Sequence, residues 1–385
     1  MNGLYELSEL DTLEVQQLVA RALELRRGAS ARRFPGRALG LLFLSPSLRT
    51  QASFQRAAQK LSLELVQLAG GAGGMWGLET REGAVMDGSA AEHVREAAAV
   101  LGRFVDVLGV RAFAGMRSLE EDLADPVLAG FRAHAGVPVI NMESALWHPC
   151  QALADWTTLD LFGVPRTAKL VLTWAWHPKP LPHAVPNSTL TMAAQRGMEV
   201  VVLRPEGYDL RPEVIEKARM LARASGGSVA VTGDRSALEG ASILYAKSWG
   251  SLECWGDLEV ETRLREPLRG WCVDASWIEA TGSARFMHCL PVRRNVVVAD
   301  QVLDGPASIV MDQAENRLHA QMALLERVLG GLGHRTSADR GGTVPHSFSL
   351  DRSAAAAGCE AGRRSSENEC GTVPPRSART KSQEV

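Results

Sequence analysis

Apolar positions along residues 8–147 alternate between two spacings. Residues 8–27 repeat apolar side chains three and four positions apart, after a Ser or Asp that can cap a helix. Short continuous apolar stretches follow, which are typical of buried parallel strands. The pattern predicts strands at 37–44, 63–69, 105–113 and 137–143, and helices at 51–61, 90–104 and 121–135 between them.

The same alternation starts again near residue 148. Helices are predicted at 148–163, 187–197, 211–226, 235–241 and 314–332, and strands at 168–176, 198–205, 227–233, 242–249 and 284–291. Strands that alternate with helices favour parallel sheets with helices on both faces. We therefore predict an α/β protein with two doubly wound parallel-sheet domains. The expected boundaries are 1–147 and 148–313, and the helix at 314–332 is expected to complete the first domain.

Residues 333–385 differ in composition from the rest of the chain. They are rich in Gly, Ser, Arg and Pro and contain few large apolar side chains. Such a segment cannot bury enough surface to offset the entropy cost of ordering. It is predicted to be a disordered C-terminal tail, and a passive appendage is favoured over a basic interaction tail.

Composition narrows the class of protein. With 385 residues, 45% hydrophobic content and a net charge of −2, the chain suits two domains and shows no bias towards nucleic acid or an anionic membrane. No apolar run is long enough to span a bilayer, and the acidic start lacks the features of a signal peptide. Six scattered cysteines without C-x-x-C spacing fit a reducing compartment. These features predict a cytoplasmic enzyme of small molecules.

The stretch FLSPSLRT, residues 43–50, joins a predicted strand to a predicted helix. Such a junction directs free backbone N–H groups at whatever lies before the helix. Ser47 and Thr50 add hydroxyl groups, and Arg49 adds a guanidinium suited to phosphate. The stretch therefore predicts a phosphate site that is not a P-loop. Helix capping beside a surface arginine is the alternative.

Further candidate residues lie at strand ends or helix starts, where open α/β sheets bind ligands. His148 and Gln151 are three positions apart and share one helix face. The full set comprises Arg111, His148, Gln151, Cys289, Leu290 and Arg317. Taken singly, a packed histidine or a small buried cysteine would be the ordinary interpretation. His177 and His183 flank a proline-rich loop but have no third partner at metal-binding spacing, so no metal is predicted.

The ordered motifs S-x-R-T, H-P-x-Q and H-C-L-P resemble the aspartate and ornithine carbamoyltransferase superfamily over roughly residues 5–332. VMDG, NME, LTWAWHPKPL, YAKSWG and DQAENRLH more narrowly resemble the N-acylornithine carbamoyltransferases, which carbamoylate N-acetylornithine or N-succinylornithine in arginine biosynthesis. Enzymes that act on free ornithine carry Ser-Met-Gly near YAKSWG and match less well. The resemblance implies the carbamoyltransferase type of two-domain fold, a homotrimer without a cofactor, and a knot where a later segment threads through the loop 177–186.

The resemblance also implies roles for individual residues. It assigns carbamoyl phosphate to Ser47, Leu48, Arg49, Thr50, Trp76, Arg111, His148, Gln151 and Arg317. It assigns the acylornithine to Ala91, Glu143, Asn187, Lys247, Cys289 and Leu290. Arg111 and His148 would hold the carbamoyl oxygen, Gln151 the carbamoyl amide, and carbonyls near Cys289 the attacking amine. Catalysis would rest on Arg111, His148, Gln151, Cys289 and Arg317. Trp76 would reach into a neighbouring subunit's site.

Two positions depart from the family pattern. Val297 stands where N-acetylornithine enzymes carry a lysine that can be carboxylated, and Ala91 stands where they carry a glutamate. Loss of that carboxylate removes repulsion against a succinyl group and favours a longer acyl group or a relaxed site. Two other hypotheses stay open: an ornithine carbamoyltransferase, and a non-catalytic ligand-binding paralogue.

Overall fold

The computed structural model describes residues 3–70 and 77–332. Its strands are β1 (Gly3–Leu4), β2 (Ala38–Phe43), β3 (Glu64–Ala69), β4 (Leu78–Glu79), β5 (Glu92–His93), β6 (Val107–Arg111), β7 (Val139–Glu143), β8 (Lys169–Trp174), β9 (Glu199–Leu203), β10 (Ser228–Thr232), β11 (Ile243–Lys247) and β12 (Arg285–Met287). Its α-helices are α1 (Thr12–Arg26), α2 (Leu48–Lys60), α3 (Val94–Phe104), α4 (Leu119–Ala124), α5 (Pro126–His134), α6 (Pro149–Leu161), α7 (Ala184–Arg196), α8 (Pro212–Ser225), α9 (Leu258–Arg265), α10 (Ala275–Thr281), α11 (Asp300–Leu303) and α12 (Val310–Gly330).

Two five-stranded parallel sheets organise these elements. The first has the order β1-β7-β6-β2-β3 and the second the order β10-β9-β8-β11-β12, while β4 and β5 form a small separate pair. From β2 in the first sheet and from β8 in the second, the chain builds outward to one edge and then returns to the other side of that strand. The direction changes between β2 and β6 in the first sheet and between β8 and β11 in the second. The predicted parallel α/β architecture is confirmed, and these reversal points are where such sheets bind ligands.

Helix packing explains why the chain holds both sheets in one core. The last helix, α12, packs against α1, α2 and α6, and α6 in turn packs against α7. Nearly every side chain of α6 and α7 is buried, which is why their sequences lack a polar face. Helix α1 begins with a capping box in which Asp11 and Glu14 bond to each other's backbone N–H.

Several predicted boundaries were wrong, and two of them have a clear local reason. Helix α2 begins at Leu48 rather than at residue 51, because Ser47 caps it and accepts from the N–H of Thr50. The predicted helix 121–135 is two helices, since Pro126 lacks an N–H and Asp125 adopts a left-handed conformation with φ of 45°. Helix α12 begins at Val310 rather than 314.

Other elements fall outside the predicted pattern. Residues 90–93 were predicted as the start of a helix, but they precede α3 and include the strand β5. Residues 235–238 form a 3₁₀ helix. The strand β1 is too short to show a period, yet it pairs with β7 through the register Gly3 to Val139. Its pairing depends on the fold and could not be predicted from two residues.

The described residues all belong to one compact unit. The division at 147/148, the return of 314–332 to the first domain, and the knot stay predictions. The predicted tail, 333–385, lies outside the described residues, as does Trp76. None of the described helices is both long and apolar enough to cross a membrane.

Candidate active site

A cavity of about 450 Å³ lies where strands of both sheets end. Its walls are formed by Ser47, Arg49, Arg111, Phe113, Glu143, His148, Gln151, His177, Leu181, Pro182, Val185, Lys247, Ser248, His288, Cys289, Leu290, Pro291, Val292, Arg293, Val297 and Arg317. Its volume is that of a site for small organic molecules. Residues that are far apart in sequence therefore meet in one place, as predicted from their positions at strand ends.

The N-terminus of α2 forms one wall. Ser47 follows β2 and caps the helix, and both Ser47 and Arg49 line the cavity, so the first turn of α2 borders it. Thr50 is fully buried, and its Oγ1 accepts from Ser47 Oγ at 3.0 Å. Leu48 is exposed, with 78% of its surface accessible, so its backbone rather than its side chain is suited to the site. A helix N-terminus beside Arg49 is a favourable environment for a phosphate.

The ends of β6 and β7 place Arg111 beside Glu143. Arg111 Nη1 donates to Glu143 Oε2 at 2.5 Å, and the same carboxylate oxygen lies 3.3 Å from His148 Nε2. Burial, with Arg317 and Arg111 nearby, lowers the pKa of His148 well below its ordinary value. His148 is thus neutral near pH 7, and a neutral imidazole has one N–H donor and one acceptor nitrogen.

The third turn of α12 supplies Arg317 from the far end of the chain. Its Nη2 donates to Thr50 Oγ1 at 2.7 Å, and its Nη1 lies 3.4 Å from Gln151 Oε1. Arg111 Nη1 lies 3.4 Å from the same threonine hydroxyl. The two guanidinium groups are therefore brought together around Thr50, which requires an anion or a strong dipole to offset their repulsion.

The second sheet supplies the opposite wall. Lys247 is the last residue of β11, and Cys289 lies two residues after β12. Burial raises the pKa of the Cys289 thiol, so it stays protonated. Leu290 follows with a φ of 51°, which turns the backbone at this edge of the cavity. Such a turn can present carbonyl oxygens to an amine.

Four of the predicted site residues that the structure describes do not line the cavity, namely Leu48, Thr50, Ala91 and Asn187. Asn187 is fully buried in α7 and donates to the carbonyl of Leu146 at 3.2 Å. Its neighbour Ser188 instead reaches the site by accepting from the backbone N–H of His148 at 2.8 Å. Ala91 is exposed between β4 and α3, and its backbone N–H donates to the carbonyl of Gly77. Trp76, also assigned to the site, is outside the described residues.

Other lining residues were missed as site residues by sequence reasoning. Phe113, Ser248 and Arg293 lie just beyond strands or motifs and carried no signal of their own. His288 is the first residue of H-C-L-P, and that motif was the available signal. Arg293 Nε donates to His177 Nε2 at 3.0 Å. Among residues 3–70 and 77–332, no group of three or more His, Cys, Asp or Glu side chains is placed to hold a metal.

The cavity is strongly cationic. Among the described residues that line it, one carboxylate, Glu143, faces five cations, which are Arg49, Arg111, Lys247, Arg293 and Arg317. Burial lowers the pKa of Arg317 and of Arg49, but a guanidinium stays protonated in proteins. The histidines add no charge, since burial also lowers the pKa of His288 well below its ordinary value. Such a site can bind a multiply charged anion and stabilise negative charge that develops during a reaction.

Two family models match the chain. The model for the carbamoyl-P binding domain of aspartate/ornithine carbamoyltransferase matches residues 3–160, and the model for the Asp/Orn binding domain matches residues 182–328. The chain belongs to the aspartate/ornithine carbamoyltransferase family. Residues of the motifs S-x-R-T, H-P-x-Q and H-C-L-P line the one cavity described above.

Individual relatives narrow the comparison. N-acetylornithine carbamoyltransferase of Xanthomonas campestris pv. campestris is 42% identical over 322 residues, which is 82% of this chain and 94% of the relative. N-succinylornithine carbamoyltransferase of Bacteroides fragilis is 38% identical, covering 76% and 87% respectively. An ornithine carbamoyltransferase of Gloeobacter violaceus is 35% identical, covering 85% and 96%. The resemblance to N-acylornithine carbamoyltransferases is confirmed.

Solved carbamoyltransferase structures share the fold. Acetylornithine transcarbamylase in complex with acetylcitrulline superimposes with a TM-score of 0.82 at 40% identity, over 85% of this chain and 99% of that chain. A mutant N-acetyl-L-ornithine transcarbamylase in complex with carbamyl phosphate and N-succinyl-L-norvaline gives the same score and identity, over 85% and 100%. These matches confirm the predicted carbamoyltransferase type of fold.

Proposed function

We propose that this protein transfers the carbamoyl group of carbamoyl phosphate to the side-chain amine of an N-acylornithine. The products would be an N-acylcitrulline and phosphate, in arginine biosynthesis. The observation that carries the proposal is the single cationic cavity, in which the α2 N-terminus and Arg49 face Lys247 and Cys289 from the other sheet. One wall suits a phosphate and the other suits an amino acid, so two substrates can meet between them.

Carbamoyl phosphate would bind along the first wall. Ser47, the backbone of Leu48, Arg49 and Thr50 would hold the phosphate, because hydroxyls, helix N–H groups and guanidinium all donate to its oxygens. Trp76, by the family pattern, would complete this site from a neighbouring subunit. Gln151 would accept from the carbamoyl amide, and Arg317 lies within 3.4 Å of its Oε1.

The acylornithine would bind along the second wall. Its carboxylate suits the charge of Lys247, and its amine would be oriented by carbonyl oxygens near Cys289 and Leu290. Glu143 is the one carboxylate on the part of the cavity wall that the structure describes, and it would accept from an amide or amine of the substrate. Asn187 does not line the cavity. It would contribute indirectly, through its neighbour Ser188, which accepts from the backbone N–H of His148.

The chemistry needs positioning and charge stabilisation rather than a nucleophilic side chain. The neutral substrate amine attacks the carbamoyl carbon, and a C–N bond forms. Negative charge then develops on the carbamoyl oxygen, where Arg111 and the N–H of neutral His148 can donate. The bond between carbon and the phosphate oxygen breaks, and the departing phosphate accepts the proton that the amine loses. Each fixed donor of this kind typically contributes a few kcal/mol, about 10²–10³-fold in rate.

A succinyl acyl group is favoured over acetyl by two features. Ala91 carries no carboxylate to repel a second acidic group. The five cations of the cavity also exceed what one phosphate and one carboxylate need. Relatives named for either acyl group match this chain, so N-acetylornithine is the second candidate.

The first test is product formation from carbamoyl phosphate with N-succinylornithine, N-acetylornithine and ornithine offered separately. We expect a ureido product from an acylated substrate, with N-succinylornithine preferred. Preference for free ornithine would favour an ornithine carbamoyltransferase instead. If none of the three substrates gave a product while carbamoyl phosphate still bound, a non-catalytic ligand-binding paralogue would be favoured.

We also propose a cytoplasmic homotrimer. Leu65 and Leu68 lie on β3, one of the two edge strands of the first sheet, and stay partly exposed, while Leu48 at the start of α2 is more exposed still. An apolar strand edge of this kind is normally covered by another chain or element. Sedimentation equilibrium should give three times the chain mass, and a monomer in solution would contradict the proposal.

A further inference from the structure

Asp155 is a buried carboxylate that contacts a substrate-facing residue but does not line the cavity. It lies on α6, one turn after Gln151, and is fully buried. Its Oδ1 accepts from Gln151 Nε2 at 2.8 Å and from Gln313 Nε2 at 2.7 Å, and its Oδ2 accepts from Tyr245 Oη at 3.0 Å. Side chains of α6, β11 and α12 thus converge on one carboxylate.

An ionised carboxylate can only accept hydrogen bonds, whereas a glutamine amide has a donor end and an acceptor end. Asp155 therefore binds the NH₂ end of Gln151 and leaves Oε1 directed towards Arg317 Nη1, 3.4 Å away. The opposite orientation would place an N–H against the guanidinium and would leave no acceptor for a substrate amide. The charge of Asp155 thus selects between two states of Gln151.

Gln313 shows the same relationship. Its NH₂ end binds Asp155 and lies 3.1 Å from Tyr245 Oη, and its Oε1 accepts from the backbone N–H of His288 at 3.0 Å. His288 begins the H-C-L-P turn that borders the cavity. The carboxylate is thereby held from two sides, which fixes its position relative to Gln151.

Stability alone does not account for a carboxylate at this position. Burying an ionised group without a direct ion pair is costly, and a neutral side chain of similar volume would pack as well. Burial raises the pKa of Asp155 to about 6, so the group is still ionised at pH 7. The charged and titratable groups facing it from neighbouring elements are Arg317 of α12, Tyr245 of β11 and Cys289 after β12.

We propose that Asp155 is a positioning residue that orients the amide of Gln151, so that Oε1 is presented to the NH₂ group of carbamoyl phosphate. The inference rests on the proposed function, because it takes Gln151 as the acceptor for the carbamoyl amide. It extends the site by a residue that touches neither substrate. It also assigns the buried network a role in recognition rather than in folding alone.

The test exploits the near-identical shape of aspartate and asparagine. In Asp155→Asn an NH₂ group replaces one of the two acceptor oxygens; with the remaining oxygen facing Tyr245 Oη, this NH₂ group donates to Oε1 of Gln151 and turns the donor end of Gln151 towards the substrate. Asp155→Leu has no acceptor in any orientation and should therefore have the same effect on ligand binding. Phosphonoacetamide carries the amide of carbamoyl phosphate on a stable phosphonate, and methylphosphonate lacks the amide. By calorimetry, we expect Asp155→Asn to weaken phosphonoacetamide binding about tenfold or more and to leave methylphosphonate binding unchanged.

A double-mutant cycle shows whether the effect passes through Gln151. Asp155→Asn should lower kcat/KM for carbamoyl phosphate about 10²-fold in the natural background and only about threefold in Gln151→Ala. Equal losses in both backgrounds, or equal losses for both phosphonates, would overturn the inference. Thr158→Val is the matched control, since Thr158 is equally buried on α6 and bonds to Ala154 and Asn316 instead. It should lower the melting temperature and leave both phosphonate affinities intact.

The pH profile adds a readout that a structural role would not move. Wild-type activity should fall as the pH drops through about 6, because protonated Asp155 can donate to Gln151. The activity of Asp155→Asn should not show this fall near pH 6. If wild-type protein forms no product with any acceptor, the proposed function fails, yet the phosphonate comparison still decides whether Asp155 orients Gln151.

Discussion

Arg317 Nη2 donates to Thr50 Oγ1 at 2.7 Å across 267 positions of the chain. This contact connects the last helix to the first turn of α2, where the phosphate of the substrate is proposed to bind. Because Thr50 is fully buried, its hydroxyl also fixes the distance between Arg317 and Arg111, whose Nη1 lies 3.4 Å from the same oxygen. The relationship suggests that Thr50 organises both guanidinium groups before any substrate enters.

Replacing Thr50 by valine tests that role. Thr50→Val keeps the shape but removes the acceptor, so Arg317 loses its anchor beside the cavity. We expect kcat/KM for carbamoyl phosphate to fall about 10–100-fold, as for a lost hydrogen bond to a charged group. Steady-state kinetics measures this effect. Thr157→Val is the control, because Thr157 is equally buried and its hydroxyl donates to the carbonyl of Leu153, away from both guanidinium groups. Equal losses in both variants would argue against an organising role.

Arg111 is expected to contribute mainly to the transition state. Arg111→Ala should lower kcat by about 10²–10³-fold, since it removes a donor to the developing oxyanion. The exposed Arg132, which pairs with Glu9, provides a control in which arginine loss should leave kcat unchanged. Circular dichroism would establish that both variants fold. An unchanged kcat in folded Arg111→Ala would remove Arg111 from the catalytic set.

Ala91 should influence the choice of acyl group. Ala91→Glu introduces a carboxylate, which would repel the free carboxylate of a succinyl group and so lower kcat/KM for N-succinylornithine relative to N-acetylornithine. Ala91 lies outside the cavity of its own chain, so the effect requires a neighbouring subunit. Ser89→Glu, an exposed change in the same segment, is the control. The quantity to compare is the ratio of kcat/KM for N-succinylornithine to that for N-acetylornithine. A ratio that changes equally in both variants, or in neither, would contradict this account.

Buried neutral histidines should make the fold sensitive to acid. Burial lowers the pKa of His183 to about 4, against about 6.5 in an unfolded chain. The contribution of His183 to the free energy of unfolding is complete above pH 6.5 and is lost as the pH falls towards 4. In this range the histidine binds a proton in the unfolded chain but not in the folded one. His183 alone should lower the free energy of unfolding by about 2 kcal/mol between pH 6.5 and 5.

Urea unfolding at these two pH values measures the loss. His183→Gln should reduce the difference, since glutamine does not titrate. The pKa values of His148 and His288 are also lowered, so these two residues should account for the remaining loss of stability at low pH. Asp155 opposes them, because burial raises its pKa to about 6. An identical pH dependence in wild type and His183→Gln would show that His183 is not the neutral buried group described.

The alternation of strands and helices could be predicted because it depends on local spacing of apolar side chains. That spacing indicated two parallel sheets, and the strand-end positions of Arg111 and Lys247 followed from it. Helix starts were less predictable. The start of α2 depends on the Ser47 cap, and the break before α5 depends on Pro126, both of which override the apolar period over a few residues.

The sequence by itself thus determined the fold class, the family motifs and about half of the residues that line the cavity. Tertiary structure alone decided which of them meet. It paired Glu143 with both Arg111 and His148, drew Arg317 to Thr50, and placed Asp155 behind Gln151. It also left Ala91 outside the cavity of its own chain. Local spacing reports which face of an element is buried, but contacts between distant elements are set by how whole helices and sheets pack, and no short stretch contains that information.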